Sequence, residues 1–580
     1  MKRKLLVSLS LLLVIVASSW ALLKPGMFDV HDFIHGVRIT EMTSALQEGQ
    51  FPVRWSQNFG YGYGMPLFEF YAPLPYFIGS LLYQVGFPLI TAVKALFLLS
   101  SVGTLLAAYF FAKELFKSKA AGVLVAAALT LAPYRALNLF VRGALSESWG
   151  MMAIPIVLWG LIKIRTHFWK GWGGITFGLV ILLLSHNLTA LISAPFFVLF
   201  YLFQLGQGYY LQKIRLQELG KELSGVISSV LLAVGLAAFY IFPALLEKDF
   251  TQVDATILSG YFDFSLHFLY IRQFFTAFWG YGGSEWGPND PISFYLGTGQ
   301  LVSVVGSLLL VVQVIRNSAV STSLYKKRKI ALFNKIAILG ILFLLIGLGL
   351  FLSLERSILV WRALPFMSYI QFPWRYLSIT SVFLASSVGV PLFFLKGRKA
   401  RFYIVGMFFL LLSTASIFKP KSYLDAPEKY YYDNPARVAS EMSKTLPDYI
   451  PSAMILDGIQ PPQQQLECLQ DECEYEVIES AGHKKIYQFV ASETDRQVLF
   501  SIADFPGWQV FVDGVQVEKR ISPTGLLEAA LPAGGKIVKV VFQSTQVRKI
   551  SDTISAVSLL LVVVLYLYIS QEQKIKKERS

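Results

Sequence analysis

Long uncharged apolar runs recur along this sequence, and they constrain its fold more than any other feature. Residues 224–245 and 337–354, for example, contain no charged side chain. A helix needs ~20 consecutive apolar residues to cross the hydrocarbon core of a bilayer. Of the 580 residues, 54% are hydrophobic and only 15% are charged, whereas soluble proteins carry about 25% charged residues. The sequence therefore predicts a polytopic α-helical membrane protein.

Hydropathy together with the basic segments predicts about twelve transmembrane helices. The first apolar segment, residues 4–23, has a basic start and small residues near its end, as a cleavable signal peptide has. We interpret it as an uncleaved first helix. The predicted spans lie close to residues 5–23, 90–112, 119–133, 148–164, 173–187, 188–206, 224–245, 294–315, 335–354, 376–395, 402–418 and 551–569.

The formal net charge of +14 is explained by membrane topology. Lysines and arginines cluster in short runs between apolar segments, which is the positive-inside pattern. No basic stripe with interleaved aromatic residues is present, so a nucleic-acid partner is not expected. Both termini are basic and are predicted to be cytoplasmic in a multi-pass protein of the cell membrane. The basic runs are residues 2–4, 113–119, 163–170, 326–329, 396–401 and 574–579.

This orientation places nearly all the chemically interesting residues outside the cytoplasm. The predicted extracytoplasmic stretches include the long first loop, 24–88, and the polar segment 419–550. We therefore expect three parts: a transmembrane domain over 1–418, a β-rich domain over 419–550, and a last helix with a basic tail over 551–580. The remaining stretches on this side are residues 133–147, 247–290 and 355–375.

The segment 419–550 changes character from residue 474 onward. Short runs of alternating apolar residues are separated by turn sequences such as Pro506-Gly507 and Asp513-Gly514. An Asp-Gly pair between such runs favours a β-hairpin. We predict a C-terminal extracytoplasmic antiparallel β-sandwich. The predicted strands are near residues 475–478, 486–490, 497–503, 508–512 and 537–542.

The two cysteines of the chain, Cys468 and Cys473, both lie in this polar segment. Outside the cytoplasm a disulfide persists, and we predict that they are bonded to each other. Two free thiols are the alternative.

The first long loop contains Asp29, then Asp32, His35 and Arg38 at intervals of three residues. On a helix the last three side chains fall roughly on one face. A carboxylate just after the first membrane helix is well placed to act as a base toward a lipid-borne substrate. Ordinary ion pairs at the membrane interface are the other interpretation of the same spacing.

Several motifs along the chain resemble those of one group of membrane glycosyltransferases, the GT-C type. The closest resemblance is to bacterial membrane proteins labelled "6-pyruvoyl-tetrahydropterin synthase-related" and to their YfhO-like relatives. No zinc-type histidine cluster of a pterin enzyme is evident. The motifs are Asp32-x-x-His35-x-x-Arg38, Gly49-x-x-Pro52-x-Arg54-Trp55, Gly60-x-Gly62-x-Gly64-x-Pro66, Arg142-Gly143-Ala144-Leu145-Ser146-Glu147, Ser185-His186-Asn187, Gln371-Phe372-Pro373-Trp374-Arg375 and Phe505-Pro506-Gly507-Trp508.

The resemblance implies that a sugar passes from a polyprenyl-phosphate donor to an extracytoplasmic acceptor: an envelope polymer, a lipid or a protein. In such enzymes an acid beyond the first helix is the presumed base, which here is Asp32, with Asp29 as the alternative. The resemblance also implies that the anomeric centre is inverted. Cations must meet the charge of the leaving phosphate; Arg375 is the first candidate and Arg142 the second, with weaker candidates in Lys248 and Arg38.

Further residues are candidates for substrate binding. Glu147 and Glu247 lie at predicted span ends, where a carboxylate supports the acid or accepts from a sugar hydroxyl, although a structural role fits them as well. The outward histidines do not have a convincing metal-ligand spacing, so no cofactor is predicted and a divalent metal is not favoured. The predicted substrate-binding residues are His35, Arg38, Arg54, Arg142, Glu147, His186, Asn187, Glu247, Lys248, Gln371 and Arg375.

Two other functions fit the sequence. A transporter or flippase of lipid-linked intermediates typically has broken helices and charges at the bilayer midplane, whereas the charges noted here are placed at the outer boundary. A non-catalytic envelope assembly factor, with a β-domain that binds a polymer, is the third hypothesis.

Overall fold

The computed structural model describes residues 2–320, 326–424, 435–445, 449–470 and 472–578. Most of this part of the chain is helical. The α-helices are Lys2–Ser19, His35–Gln47, Leu67–Phe70, Leu74–Gln84, Leu89–Phe116, Lys119–Thr130, Pro133–Phe140, Leu145–Thr166, Phe168–Ser185, Asn187–Gly206, Leu216–Leu236, Ala238–Leu246, Val253–Ile257, Thr298–Val320, Lys326–Ser353, Ile358–Ala363, Leu377–Ser387, Gly397–Leu412, Pro435–Arg437 and Gln546–Glu578.

Eleven helices in the described part of the chain are long and apolar enough to cross a membrane. The number is twelve if the pair Lys119–Thr130 and Pro133–Phe140, bent by 44°, forms one broken span. The prediction of a polytopic helical protein with about twelve spans is therefore confirmed. The stretch 133–147, which is predicted to lie on the outer side, contains the helix Pro133–Phe140, which begins with proline at a position that helices favour.

The prediction of one continuous span over 224–245 is wrong, because the helix is broken inside this range. One helix ends at Leu236 and the next begins at Ala238. At this break the hydroxyl of Ser555 donates to the carbonyl of Gly235 over 3.0 Å and accepts from the amide of Phe239 over 2.9 Å. A side chain of the last helix thus replaces the backbone partners lost at the break, a contact that hydropathy does not encode.

By contact density the chain divides into two compact units. The first comprises Met1–Phe33, Val93–Ala233 and Leu258–Asp425, and the second comprises Ile34–Ala92, Val234–Ile257 and Ala426–Ser580. The second unit therefore combines the β-rich segment with most of the first long loop and the last helix, a grouping that differs from the three consecutive segments expected from the sequence. Residues 425–434, 446–448 and 471 of the predicted β-rich segment lie outside the described residues.

In the first unit, the helices Leu145–Thr166 and Phe168–Ser185 form a tight antiparallel hairpin. A Cβ atom added to Gly160 would lie 2.6 Å from the backbone nitrogen of Ile175 and 3.0 Å from the carbonyl oxygen of Gly171. Glycine therefore allows the two backbones to approach closely, as small residues do in membrane helix pairs. The same unit holds a short antiparallel pair of strands, β1 (Met27–Phe28) and β2 (Tyr423–Leu424).

The second unit contains the β-sandwich. One sheet has the strand order β3–β6–β10–β9 and the other β4–β5–β11–β7–β8, and all described pairings are antiparallel. Buried side chains from both sheets form its core, where the rings of Tyr487 and Phe500 are 5.9 Å apart. The strands are β3 (Leu466–Cys468), β4 (Tyr475–Ala481), β5 (Lys484–Phe489), β6 (Arg496–Ala503), β7 (Trp508–Val512), β8 (Val515–Val517), β9 (Lys519–Ile521), β10 (Leu526–Leu531) and β11 (Ile537–Phe542).

The hairpin predicted at Asp513-Gly514 joins β7 to β8. Both turn residues have positive φ, 46° for Asp513 and 86° for Gly514, as a two-residue turn of this kind requires. The strand β10 was not predicted, because its sequence Leu-Leu-Glu-Ala-Ala-Leu does not alternate cleanly. Cys468, at the end of β3, is bonded to Cys473, with 6.1 Å between their Cα atoms.

Candidate functional site

The segment that carries both candidate acids, residues 27–32, belongs to the first unit and is held by backbone hydrogen bonds at both ends. The amide of Asp29 donates to the carbonyl of Ser422 over 3.1 Å, next to the β1–β2 pair. The amide of His31 donates to Val141 over 3.0 Å and that of Asp32 to Arg142 over 2.8 Å. The chain is thus fixed on either side of the two aspartates.

The predicted helical face shared by Asp32, His35 and Arg38 is wrong for Asp32. The helix begins at His35, and Asp32 lies three residues before it in non-helical chain. The backbone hydrogen bond from Asp32 to Arg142 accounts for this, because it draws residue 32 into contact with another segment. Asp32 also falls in the first unit, whereas His35 and Arg38 fall in the second.

Arg142 and Glu147 form a buried ion pair. The Nη1 atom of Arg142 lies 2.6 Å from Oε2 of Glu147, and their side chains are 13% and 2% exposed. Burial acts to lower the pKa of Arg142, but Glu147 first, then Tyr134 and Asp32, raise it overall. Both carboxylates therefore favour the charged form of this guanidinium.

Four further side chains complete this arrangement, which we name the arginine–tryptophan cluster: Tyr134, Asn138, Arg142, Glu147, Trp374 and Arg375. The hydroxyl of Tyr134 donates to Glu147 over 2.6 Å, and Nη1 of Arg142 donates to the amide oxygen of Asn138 over 2.6 Å. The guanidinium of Arg142 stacks on the Trp374 ring at 4.6 Å. Tyr134 and Asn138 were not predicted; their i, i+4 spacing within an apolar helix was the available signal.

Arg375 is anchored at the base of its own turn. Its Nη1 atom donates to the carbonyl of Ile370 over 2.7 Å and to the side-chain oxygen of Gln371 over 3.0 Å, and its guanidinium lies 4.9 Å from the centre of the Phe372 ring. Gln371 adopts a φ of 63°, a conformation that costs a residue with a side chain about 1–3 kcal/mol and is concentrated at functional sites. Arg375 remains half exposed.

A buried hydrogen-bond chain fixes the indole of Trp374. Its Nε1–H donates to Oγ of Ser284 over 3.1 Å, and the same oxygen contacts Nδ1 of His267 over 3.0 Å. The other imidazole nitrogen contacts the carbonyl of Tyr261, so it carries the proton and Ser284 donates to Nδ1. Burial lowers the pKa of His267, which agrees with this neutral tautomer.

His186 and Asn187 lie at the start of the helix Asn187–Gly206. Nδ1 of His186 accepts from the amide of Thr189 over 3.1 Å, so its imidazole caps the helix. Burial lowers the pKa of His186 to about 3, and the nearby Glu147 opposes this shift. His186 is therefore neutral at pH 7 and within the electrostatic reach of the cluster, whereas the side chain of Asn187 is exposed and accepts from the amide of Leu188.

The other predicted binding residues belong to the second unit. Arg38 is buried, donates to Tyr71 and Tyr76 over 3.2 and 2.9 Å, and stacks on Tyr71 at 4.0 Å. His35 contacts the hydroxyl of Tyr76 over 3.1 Å. These residues form an internal network of the first long loop.

Three more predicted residues also have partners inside the second unit. Arg54 pairs with Asp552 over 2.6 Å, and the half-exposed Lys248 pairs with Asp254 over 2.7 Å. Glu247 lies 2.7 Å from Arg548. Each of these contacts stabilises the unit in which it lies.

Arg135 is a further residue that the sequence argument missed. It is 1% exposed. Its Nη2 atom donates over 3.1 Å to Oγ of Ser101, a residue of the helix Leu89–Phe116. No ion pair of Arg135 with a carboxylate occurs within 4.0 Å in the described part of the chain. The charges of the protein are thus not confined to span ends.

The cluster combines groups suited to one kind of ligand. Guanidinium groups bind phosphate oxygens, and indole and phenol rings provide flat apolar surfaces. Asp32 adjoins the cluster, because its amide donates to the carbonyl of Arg142. Among the described residues, no group of three or more His, Cys, Asp or Glu side chains is arranged to hold a metal ion.

The known proteins that this chain resembles share low sequence identity with it. No family model matches the chain. An uncharacterized protein of Lactococcus lactis subsp. cremoris (strain MG1363) is 29% identical over 219 residues, which make up 36% of this chain and 34% of that protein. The chain thus matches about a third of that relative's length.

Solved structures show a weak likeness over most of the chain. The arabinofuranosyltransferase AftD from mycobacteria (mutant R1389S) is 16% identical with a TM-score of 0.41, covering 73% of this chain and 29% of AftD. The oligosaccharyltransferase of Archaeoglobus fulgidus is 11% identical with a TM-score of 0.39, covering 74% and 59%. ArnT from Cupriavidus metallidurans, bound to undecaprenyl phosphate, is 11% identical with a TM-score of 0.29, covering 72% and 88%. Likenesses this distant assign neither activity nor substrate to the chain.

Proposed function

We propose that this protein is a membrane glycosyltransferase of the GT-C type that moves a sugar from a polyprenyl-phosphate donor to an extracytoplasmic acceptor. The observation that supports this most is the fixed placement of Asp32 beside the arginine–tryptophan cluster. In such a transfer an acid can serve as the base, two arginines can bind the phosphate, and aromatic rings can provide an apolar surface for the substrate.

The proposed reaction is a single displacement. The carboxylate of Asp32 takes the proton of an acceptor hydroxyl while the oxygen of that hydroxyl attacks the anomeric carbon. The bond from that carbon to the phosphate oxygen breaks, the configuration inverts, and polyprenyl phosphate leaves with the electron pair. A positioned general base contributes ~10²–10⁴-fold to such a step.

The contacts within the first unit support Asp32 over Asp29 as this base. Asp29 is exposed, and its carboxylate lies 3.5 Å from the hydroxyl of Ser422, beside the β1–β2 pair. The amide of Asp32 donates to the carbonyl of Arg142, and the charge of Asp32 helps to raise the pKa of Arg142. Sequence spacing alone could not separate the two acids.

Arg375 is the proposed main ligand of the donor phosphate. It is half exposed, and its Nη1 atom is held by hydrogen bonds to the carbonyl of Ile370 and to the side-chain oxygen of Gln371. Arg142 lies beside it in the same cluster and is paired with Glu147. A guanidinium that is held in position and still accessible can bind phosphate oxygens through two parallel hydrogen bonds.

The direct test is incubation of purified, lipid-reconstituted protein with a panel of polyprenyl-phosphate sugars and a cell-envelope extract as the source of acceptors. The expected result is release of polyprenyl phosphate from at least one donor, together with transfer of its sugar. Sugar-free polyprenyl phosphate is the control. No release from any donor in a panel that spans hexoses and pentoses would contradict the proposal.

A transporter of lipid-linked intermediates is the second candidate, and Arg135 is the observation that favours it. A buried arginine inside a membrane unit is costly unless it is paired or functional. Movement of a fluorescent lipid-linked sugar between the leaflets of vesicles containing the protein, without release of polyprenyl phosphate, would support transport over transfer.

A further inference from the structure

The turn that follows the helix Pro133–Phe140 contacts the candidate acid through backbone atoms alone. Val141 and Arg142 offer their carbonyl groups to the amides of His31 and Asp32, over 3.0 and 2.8 Å. These two hydrogen bonds align the acid-bearing segment against the turn. Both contacts involve main-chain atoms, so a search of the sequence for acid–base motifs does not reveal them.

Gly143 closes this contact from the other side. Its φ is +66°, and a Cβ atom added to it would lie 2.8 Å from the carbonyl oxygen of Asp32 and 2.6 Å from Cγ2 of Val30. Real Cβ atoms essentially never approach other atoms this closely. Any larger residue at position 143 therefore has to displace the segment that carries Asp32.

The middle residue of the turn 141–143 fixes the position of the turn relative to the arginine–tryptophan cluster. Arg142 is held by Glu147, by Asn138 and by the Trp374 ring. Its charge interacts with Glu147, Tyr134 and Asp32 and also acts on His186 and Tyr261, while Arg375 acts on the same Glu147. A shift of Asp32 by even about 1 Å would change its position relative to all of them.

We propose that Gly143 is a positioning residue for Asp32: the absence of a side chain at this point lets the turn 141–143 hold the acid at a fixed place beside Arg142. This inference rests on the proposed function for its catalytic consequence. Its structural part, the placement of the segment 30–32, can be measured without any assay of activity.

The first experiment compares Gly143→Ala with Gly397→Ala. Gly397 has a similar φ of +56°, but a Cβ atom there would have nothing within 4 Å, so the control carries the same backbone strain without the contact. Hydrogen–deuterium exchange should show faster exchange of the amides of His31 and Asp32 in Gly143→Ala, by about tenfold or more. Exchange equal to that of Gly397→Ala would overturn the proposal.

The second experiment measures turnover and donor affinity separately, once a donor has been found. Misplacement of a reacting group by about 1 Å can cost about 100-fold in rate, so Gly143→Ala should lower kcat by roughly that factor and leave the donor Kd within about threefold. Unchanged kcat in the presence of altered exchange would overturn the catalytic part. Absence of turnover in the wild-type protein would instead refute the proposed function and leave the exchange result standing.

The double variant Val30→Ala with Gly143→Ala removes the closest side-chain contact at this glycine, that with Cγ2 of Val30, and serves should the single variant fail to fold. The contact with the carbonyl of Asp32 persists in the double variant, because it is a backbone atom. Fast exchange of Asp32 and low kcat are therefore expected to remain. Full restoration of both would show that Val30, and not Asp32, is what Gly143 accommodates.

Discussion

Arg142 donates to Glu147 over 2.6 Å inside the first unit, where the carboxylate is 2% exposed. Replacing Glu147 by glutamine would leave the buried guanidinium without its strongest partner. Breaking a buried pair in this way costs about 3–5 kcal/mol. We predict a loss of that order for Glu147→Gln, measured by thermal unfolding in detergent.

The matched control is the half-exposed pair of Arg437 and Glu441, 2.8 Å apart at i, i+4 spacing. Exposed helix pairs of this kind contribute about 0.3–0.5 kcal/mol, so Glu441→Gln should hardly change the unfolding temperature. Equal effects of the two substitutions would show that the Arg142–Glu147 pair is not a buried structural interaction.

The second unit contains two carboxylates that share one arginine. Arg548 lies 2.9 Å from Glu69 and 2.7 Å from Glu247, and the three side chains are at most 4% exposed. Burial raises the pKa of Glu69 well above its usual value. Burial also acts to raise the pKa of Glu247, but its hydrogen bonds and Arg548 outweigh burial and lower it. The hydrogen bond between the two carboxyl groups needs one proton, and the opposite directions of the two shifts assign that proton to Glu69.

This arrangement predicts non-additive substitutions. In Glu247→Gln, the remaining carboxyl of Glu69 can ionise and take over the pairing with Arg548, so each single glutamine variant should lose little stability. The double variant leaves the buried arginine without a carboxylate and should lose about 3–5 kcal/mol. Additive free energies of unfolding across this cycle would contradict the shared-arginine account.

Asp290, in the loop between residues 258 and 297, gives a pH-dependent prediction. Burial raises its pKa to about 6, although it accepts hydrogen bonds from Gln273 over 2.7 Å and from the amide of Glu285 over 2.6 Å. Because the folded state holds this proton more tightly than the unfolded state, stability should fall as pH rises from about 4 to 6.

The test compares the unfolding temperature of the wild type and of Asp290→Asn across that range of pH. The asparagine does not titrate, so the variant should lose this part of the slope while other carboxylates keep theirs. Parallel curves for the two proteins would show that Asp290 does not titrate between pH 4 and 6.

The predicted orientation can be tested with single cysteines. Because Cys468 and Cys473 are bonded to each other, one introduced thiol gives an unambiguous signal. Ser480→Cys lies on an exposed position of β4 and should react with a membrane-impermeant maleimide from outside intact cells, whereas Lys170→Cys, in the first turn of the helix Phe168–Ser185, should not. The opposite labelling pattern would reverse the predicted topology.

The sequence was sufficient to predict the spans and most of the sandwich strands, because bilayer length and period-two alternation are local signals. It did not predict the break at Ala237, where Ser555 from a segment more than 300 residues away supplies the missing hydrogen bonds. Long-range partners of this kind leave no trace in hydropathy.

The candidate site shows the same division. Arg142, Glu147 and Arg375 were identified from their charge near span ends, and Asp32 from its place after the first helix. Tyr134, Asn138 and the close backbone contact at Gly143 were missed, because their roles depend on packing between segments 30–32 and 133–147. The assignment of Asp32 to a helical face was wrong for the same reason.

The most direct measurement of the central claim is the turnover of Asp32→Asn and Asp29→Asn with a polyprenyl-phosphate sugar that the wild-type protein uses, alongside the donor affinity of each variant. Loss of a general base should lower kcat of Asp32→Asn by about 10²–10⁴-fold with donor Kd nearly unchanged. Asp29→Asn should retain turnover within a few-fold of the wild type. Near-normal turnover in Asp32→Asn, in a variant shown to be folded, would contradict the account.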